Sequence, residues 1–207
     1  MLSKIASRLF DNFENKDEAR EKSLRLSRNI IRLSGRAIKS IHRGQYNEAE
    51  QLMEEVSKLN DDIRALLKVH PDIYHAGFVE NAQTEYAEAA IIYHILTENR
   101  IPEPTELNVE DSAFLLGLGD VVGELRRIIL DLIRNDKTYE GEKYLEIMDD
   151  IFSTIILFDF PDALSKGLRH KGDVARSLVE RTRGDLTIAI GNARLDESMT
   201  RLEEKLK

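Results

Sequence analysis

Prolines are rare and widely spaced in this chain, and their spacing limits the folds it can adopt. Only four occur, at positions 71, 102, 104 and 161, and they separate long stretches whose apolar residues recur every three or four positions. This periodicity is typical of helices with one face turned to a core, and we find no alternating strand pattern, short repeat or low-complexity linker. The sequence therefore predicts an all-α fold, a bundle of about six or seven helices in a single domain over residues 1–207.

Seven helices are expected, and several residues mark their ends. Their approximate ranges are 3–13, 17–43, 46–68, 73–99, 109–135, 139–158 and 172–205. Gly44 suits the position after the end of the second helix. Asn108 suits the N-cap of the fifth helix, with Asp111 three residues later as in a capping box.

Composition excludes several classes of protein. Hydrophobic residues make up 42% of the chain and charged residues 33%, as in soluble globular proteins. There is no cysteine, which excludes disulfides, thiolate metal sites and cysteine nucleophiles, and suits a cytoplasmic location. No apolar run approaches the roughly 20 residues that span a bilayer, and the amphipathic, acid-containing N-terminus is unlike a signal peptide. The net charge of −8 argues against a protein that binds nucleic acid over its whole surface.

The second predicted helix carries cations along one face. Between Lys22 and Asn47 there are seven Lys or Arg residues and no Asp or Glu. Six of them follow spacings of three or four, and we call this set the basic stripe: Arg25, Arg28, Arg32, Arg36, Lys39 and Arg43. The stripe is about 27 Å long at about 1.5 Å per residue. Solvated helix faces usually mix both signs of charge, so the stripe favours a phosphate backbone as ligand; an acidic protein surface or plain solvent are the alternatives.

Two pairs of carboxylates lie on two later helices. Glu85 and Glu88 are three residues apart, and Asp120 and Glu124 are four apart, so each pair shares a helix face. Asp120 is the only charged residue from position 112 to position 123, and a lone buried carboxylate is costly unless a cation meets it. The four carboxylates could converge on Mg²⁺ or Mn²⁺, which prefer oxygen ligands. Alternatively, the glutamates could be buried against arginine.

A metal at such a site would orient water, lower its pKa and stabilise charge on a phosphoryl oxygen. A carboxylate that does not bind the metal could act as general base. Arg127, one turn after Glu124, would steady a phosphate or pair with a carboxylate. None of the five histidines completes the Glu-x-x-His motif of di-iron bundles.

Three glycines surround Asp120, at positions 117, 119 and 123. Glycine disfavours helices, so these positions suggest that a neighbouring helix or a ligand comes close. A dinucleotide-binding turn is a rival interpretation, but it requires a preceding strand and the spacing GxGxxG, whereas the spacing here is GxGxxxG.

Four stretches of the chain resemble the translin superfamily, more closely translin-associated factor X and its archaeal relatives than translin itself. They are AREKSLRLSRNIIRLSGRAIKSIHRG, EYAEA, DSAFLLGLGDVVGELRR and FPDALSKGLRHKGDVARSLVERTRGDLT. The resemblance covers nearly the whole chain. It implies an all-α fold, assembly into a hollow homo-octamer and binding of single-stranded RNA, with single-stranded DNA as a further candidate ligand.

The resemblance also implies a Mg²⁺-dependent endoribonuclease, the activity of the factor X branch. That family's catalytic acids fall in EYxEA and in a D-x-x-x-E helix, which here places the catalytic and metal-binding roles on Glu85, Glu88, Asp120 and Glu124. In translin the equivalent positions are largely non-acidic. The family's histidine-rich and arginine-rich nucleic-acid segment is poorly matched around Tyr74, so binding here would rest more on the basic stripe, facing the cavity.

Two other functions fit parts of the sequence. A non-catalytic assembly that only binds single-stranded RNA or DNA would need the fold and the basic stripe but not the acids. An all-α nucleoside-triphosphate pyrophosphohydrolase would also hold Mg²⁺ on acidic helix pairs, but that class places an ExxD motif soon after its ExxE motif. Here the ExxD from Glu146 to Asp149 is far from Glu88. The endoribonuclease is therefore the function we expect.

Overall fold

The computed structural model describes residues 2–206, and no strand occurs among them. Within this range six helices have 14 residues or more. They are α1 Leu2–His42, α2 Tyr46–Leu67, α3 Gly77–Glu98, α4 Asp111–Arg134, α5 Glu142–Ile155 and α6 Leu168–Leu206. Short helical turns lie between them at Pro71–Tyr74, Pro104–Leu107, Thr138–Gly141 and Asp162–Ser165. The prediction of an all-α fold is confirmed.

The chain divides into two compact units, and the boundary between Gly117 and Leu118 falls inside α4. The first unit contains α1, α2, α3 and the first turns of α4, and the second contains the rest of α4 together with α5 and α6. That residues 1–207 form a single domain stays a prediction. Across residues 2–206, no helix is both long enough and apolar enough to cross a membrane.

The core of the first unit lies between its three long helices. Helix α1 packs against α2 and α3, and α2 also packs against α3. The predicted apolar face of α1 is buried, with Ile30, Ala37 and Ile41 at 2% exposure or less. Ile63 of α2 is fully buried as well. Each isoleucine removed from water in this way contributes about 1.5–3 kcal/mol to folding.

Several helix boundaries differ from the sequence-based expectation. Helix α3 begins at Gly77 rather than near residue 73, and α6 begins at Leu168 rather than near residue 172. Helix α1 continues through the predicted break near residue 15, because no glycine or proline interrupts it before Gly35. Asn108 does not cap α4 but ends the turn Pro104–Leu107 in the left-handed conformation, at φ 54°. Its side-chain amide donates to Asp61 Oδ1 at 2.7 Å. Asparagine suits both kinds of position, so local sequence could not decide between them.

A network of buried and partly exposed polar groups fixes the start of α4 within the first unit. Tyr74 Oη accepts hydrogen bonds from Arg64 Nη1 at 2.9 Å and from Gln83 Nε2 at 3.2 Å, and donates to Glu110 Oε1 at 2.8 Å. Gln83 Nε2 also donates to Asn60 Oδ1 at 3.1 Å, and both of these side chains are 1% exposed. Because the buried amides are satisfied, the network ties α2, α3 and the residue preceding α4 together.

The second unit is built on the packing of α5 against α6. The part of α4 in this unit buries Val121, Leu125 and Ile129. Arg126 of α4 reaches α6, where Nη1 donates to Thr182 Oγ1 at 2.9 Å and Nη2 to Asp185 Oδ2 at 2.8 Å. These bonds hold α4 and α6 in one register.

Candidate functional site

The first carboxylate pair lies on α3, in the first unit. The side chains of Glu85 and Glu88 are each half-buried. Between them, Tyr86 is 5% exposed, and this burial raises the pKa of its phenol. Gly117 of α4 approaches the same segment, since a Cβ at that position would lie 2.7 Å from the Thr84 carbonyl oxygen and 3.0 Å from the Glu88 backbone nitrogen. The predicted close neighbour of Gly117 is therefore the backbone of α3.

The second pair, Asp120 and Glu124, lies on α4 in the second unit. Both side chains are half-buried. Lys171, in the first turn of α6, donates its ammonium to Asp120 Oδ1, and the two side chains are 32% and 31% exposed. A lone carboxylate in an apolar stretch requires a nearby cation. The structure shows that a lysine from another helix meets this requirement.

Gly119 gives Lys171 its place beside Asp120. A Cβ at Gly119 would lie 3.1 Å from Lys171 Cβ, 3.6 Å from Lys171 Cγ and 3.5 Å from Ile155 Cδ1. The aliphatic stem of Lys171 therefore runs across the bare backbone of α4, which only glycine provides here. Because the three glycines lie within one continuous helix, the dinucleotide-turn interpretation is wrong.

Arg127 lies one turn after Glu124 on the same helix. Its Nη1 is 3.9 Å from Glu124 Oε2, and the two side chains are 56% and 24% exposed. At this distance the contact is a loose ion pair rather than a hydrogen bond. The arrangement agrees with the predicted pairing to a carboxylate, and the exposed guanidinium is also accessible to a phosphate.

The carboxylates suit Mg²⁺ by donor type. Among residues 2–206, no three or more His, Asp or Glu side chains are grouped so as to hold a metal ion. Mg²⁺, however, is usually held by only one or two carboxylates, with water and substrate phosphates completing its octahedron. Each unit provides one such pair of carboxylates. In the second unit, Asp120 is already paired with the Lys171 ammonium. That all four carboxylates converge on one ion stays a prediction.

The basic stripe lies on the outward face of α1. All six of its side chains are exposed, whereas the intervening residues Ile30, Leu33 and Ala37 are buried. Among the described residues, Arg36 is the only member within 4.0 Å of a carboxylate, at 3.9 Å from Glu48 Oε1. The orientation predicted from the spacing is confirmed.

Helix α2 does not neutralise the stripe. Its acidic residues are exposed, as predicted: Glu48, Glu50, Glu54, Glu55, Asp61 and Asp62. The Arg36–Glu48 contact joins two side chains that are each about half exposed, so it is weak. The stripe therefore presents nearly its full positive charge to an external anion.

Sequence reasoning missed the role of Lys171. The residue was visible only as one of several cations in the segment 166–171, KGLRHK. Its partner Asp120 lies 51 positions earlier. The one local signal was Gly119, which indicated a close neighbour but not its identity.

Comparison with known proteins gives a consistent set of relatives, although no family model matches the chain. An uncharacterized protein of Methanocaldococcus jannaschii is 32% identical over 196 residues, which cover 94% of this chain and 87% of the relative. AfC3PO in complex with duplex RNA is 33% identical, with a TM-score of 0.85 over 92% of this chain and 98% of that chain.

Two further solved structures share the fold. The crystal structure of AfC3PO is 33% identical, with a TM-score of 0.83 and the same coverage as its RNA complex. Apo-NeC3PO is 23% identical, with a TM-score of 0.81 over 89% of this chain and 96% of that chain, which is a likeness of fold alone.

Proposed function

The chain belongs to the translin superfamily, and we propose that it is a Mg²⁺-dependent endoribonuclease that cleaves single-stranded RNA inside a homo-oligomeric shell. The basic stripe of α1 holds the RNA backbone. Glu85, Glu88, Asp120 and Glu124 would hold the metal, with Mn²⁺ as a substitute, and would position the attacking water. The observation that carries the proposal is the exposed basic stripe on a chain whose net charge is −8.

RNA is the ligand that the stripe suits best. A row of cations spaced three and four residues apart contacts successive phosphates without reading their bases. AfC3PO, a relative at 33% identity, has been solved with duplex RNA. Single and double strands share the phosphate backbone, so that complex supports RNA as ligand, while the preference for a single strand comes from the resemblance described above. Single-stranded DNA would satisfy the same cations.

The carboxylates supply the chemistry in this proposal. When bound, Mg²⁺ would lower the pKa of a water molecule and stabilise charge on the phosphoryl oxygens. The carboxylates of each pair are half-buried, so an ion or a water can still reach them from solvent. A carboxylate not engaged with the metal accepts the proton of the attacking water. Arg127, exposed beside Glu124, steadies a phosphate oxygen.

Self-association encloses the RNA in this proposal. Both ends of the chain expose large apolar side chains: Leu2, Phe10 and Phe13 on α1, and Leu195, Leu202 and Leu206 on α6. Covering them in contacts between subunits would remove this apolar surface from water. The expected number of eight subunits comes from the resemblance alone. The expected cytoplasmic location comes from the cysteine-free sequence.

A non-catalytic assembly that only binds single-stranded nucleic acid is the second candidate. The ion pair between Lys171 and Asp120 favours it, because this carboxylate already has a cation. The presence of acids at all four family positions favours the enzyme. Membership of the translin superfamily favours both over the pyrophosphohydrolase.

One experiment tests the proposal. The mass of the native particle is measured while an end-labelled, unstructured RNA strand and its duplex are incubated with MgCl₂, with MnCl₂ or with EDTA. We expect a multi-subunit particle that cleaves the single strand only when the metal is present. If the particle binds the strand but leaves it intact in both metals, the non-catalytic assembly is correct.

A further inference from the structure

We propose that Lys171 is a built-in counter-cation of Asp120 that a divalent metal must displace, so that Lys171 sets the metal affinity of this carboxylate. The inference rests on the proposed function, since it assumes that Asp120 binds metal. It differs from that function in assigning a role to a residue outside the four carboxylates.

Burial explains why Asp120 needs a cation at all times. Its side chain is 31% exposed, and its neighbours Val121 and Val122 are fully buried. An unpaired carboxylate in such surroundings loses much of its hydration without compensation. The Lys171 ammonium provides this compensation within the chain itself, without a metal ion.

The position of Lys171 is fixed by two contacts besides its ion pair. Its backbone nitrogen donates to the Gly167 carbonyl oxygen at 3.3 Å, at the start of α6. Its stem lies against Gly119, where no side chain competes for the space. Arg169, two residues earlier, donates instead to Asp159 Oδ1 at 2.6 Å. The Lys171 ammonium is thereby held on Asp120 Oδ1.

Displacement follows from charge and space. An ammonium on Oδ1 and a divalent cation on the same carboxylate repel each other, and both depend on its single negative charge. Metal binding must therefore break the contact between Lys171 and Asp120 and move the ammonium away. The measured affinity of the metal is lowered by the cost of that step.

The test measures Mn²⁺ binding to the full chain by isothermal titration calorimetry, without RNA. Lys171→Met keeps the stem but removes the charge, and should bind Mn²⁺ about tenfold more tightly, the equivalent of one charge-assisted hydrogen bond. Lys171→Arg keeps a cation and should stay near wild type. Lys137→Met removes the same charge at an exposed position of the same unit and is the matched control.

Thermal unfolding provides a second readout. Without metal, Lys171→Met should melt below wild type, and Mn²⁺ should raise its Tm by more than it raises that of wild type. Lys171→Gln replaces Lys171→Met in both assays if the latter does not fold.

The outcomes separate the two ideas. If wild type binds Mn²⁺ and Lys171→Met binds it with equal or lower affinity, the displacement of Lys171 is wrong and the proposed function is untouched. If neither protein binds Mn²⁺, the metal-dependent function itself fails, and the role of Lys171 fails with it.

Discussion

Gly117 of α4 and Thr84 of α3 meet so closely that a Cβ at position 117 would lie 2.7 Å from the Thr84 carbonyl oxygen. The same Cβ would lie 2.9 Å from Ala87 Cβ, so neither neighbour is a flexible side-chain end that can move aside. This contact lies in the first unit, directly beside the Glu85–Glu88 segment. A glycine in a helix interior usually destabilises the helix, but here it allows two helices to approach this closely.

We predict that Gly117→Ala destabilises the protein by about 1–3 kcal/mol, because overpacking outweighs the gain in helix propensity. Urea unfolding followed by circular dichroism measures the effect. Gly123→Ala is the matched control in the same helix, where an added Cβ would have no neighbour within 4 Å. That variant should be neutral or more stable by up to about 1 kcal/mol. Equal stability of the two variants would contradict the assigned contact.

We predict that the basic stripe dominates RNA affinity. Replacing Arg28 and Arg32 with alanine should weaken binding of single-stranded RNA about tenfold, and should reduce the slope of log K against log salt concentration by roughly 0.7 for each lost contact. Fluorescence anisotropy across a salt series measures both quantities. Replacing the exposed Arg194 and Arg201 of α6 removes the same charge and should leave the slope unchanged. A slope that is flat in wild type would exclude phosphate contacts by the stripe.

We predict that stability falls at alkaline pH in part through Tyr86. Burial raises the pKa of this phenol above its unfolded value, so the folded state favours the neutral form. The resulting stability is complete below about pH 10, the usual tyrosine pKa, and is lost as pH rises through the folded pKa.

Tyr86→Phe should therefore show a shallower decline above about pH 10 in the free energy of unfolding, measured in urea over a series of pH values. Tyr139→Phe, at a position 46% exposed, should decline as wild type does. Parallel declines for all three proteins would mean that other groups account for the whole alkaline effect.

The parts of the fold that follow from local pattern could be predicted. The basic stripe lies where its spacing placed it, because residues three and four apart share a face in any helix, whatever packs on it. The continuity of α1 and the start of α4 were harder to predict. Asn108 satisfies the requirements of both an N-cap and a left-handed helix end, and only the neighbouring turn Pro104–Leu107 selects the second.

The partner of Asp120 lay beyond the reach of sequence reasoning. Local pattern showed that this carboxylate required a cation, but Lys171 is brought to it by the packing of α4 and α6, 51 residues apart in the chain. Pairings of this kind depend on tertiary contacts that one sequence does not reveal. Gly119 indicated that a neighbour comes close to α4 at this point, but not that the neighbour is Lys171.

Single-turnover cleavage of a labelled RNA strand by wild type, Glu88→Gln and Asp120→Asn, with RNA affinity and Tm measured alongside, tests the central claim most directly. We predict that wild type cleaves in Mg²⁺ but not in EDTA. Both variants should remain folded and bind RNA, but their cleavage rate should fall by roughly a hundredfold or more. Equal rates in the three proteins would contradict the assignment of these carboxylates to the reaction.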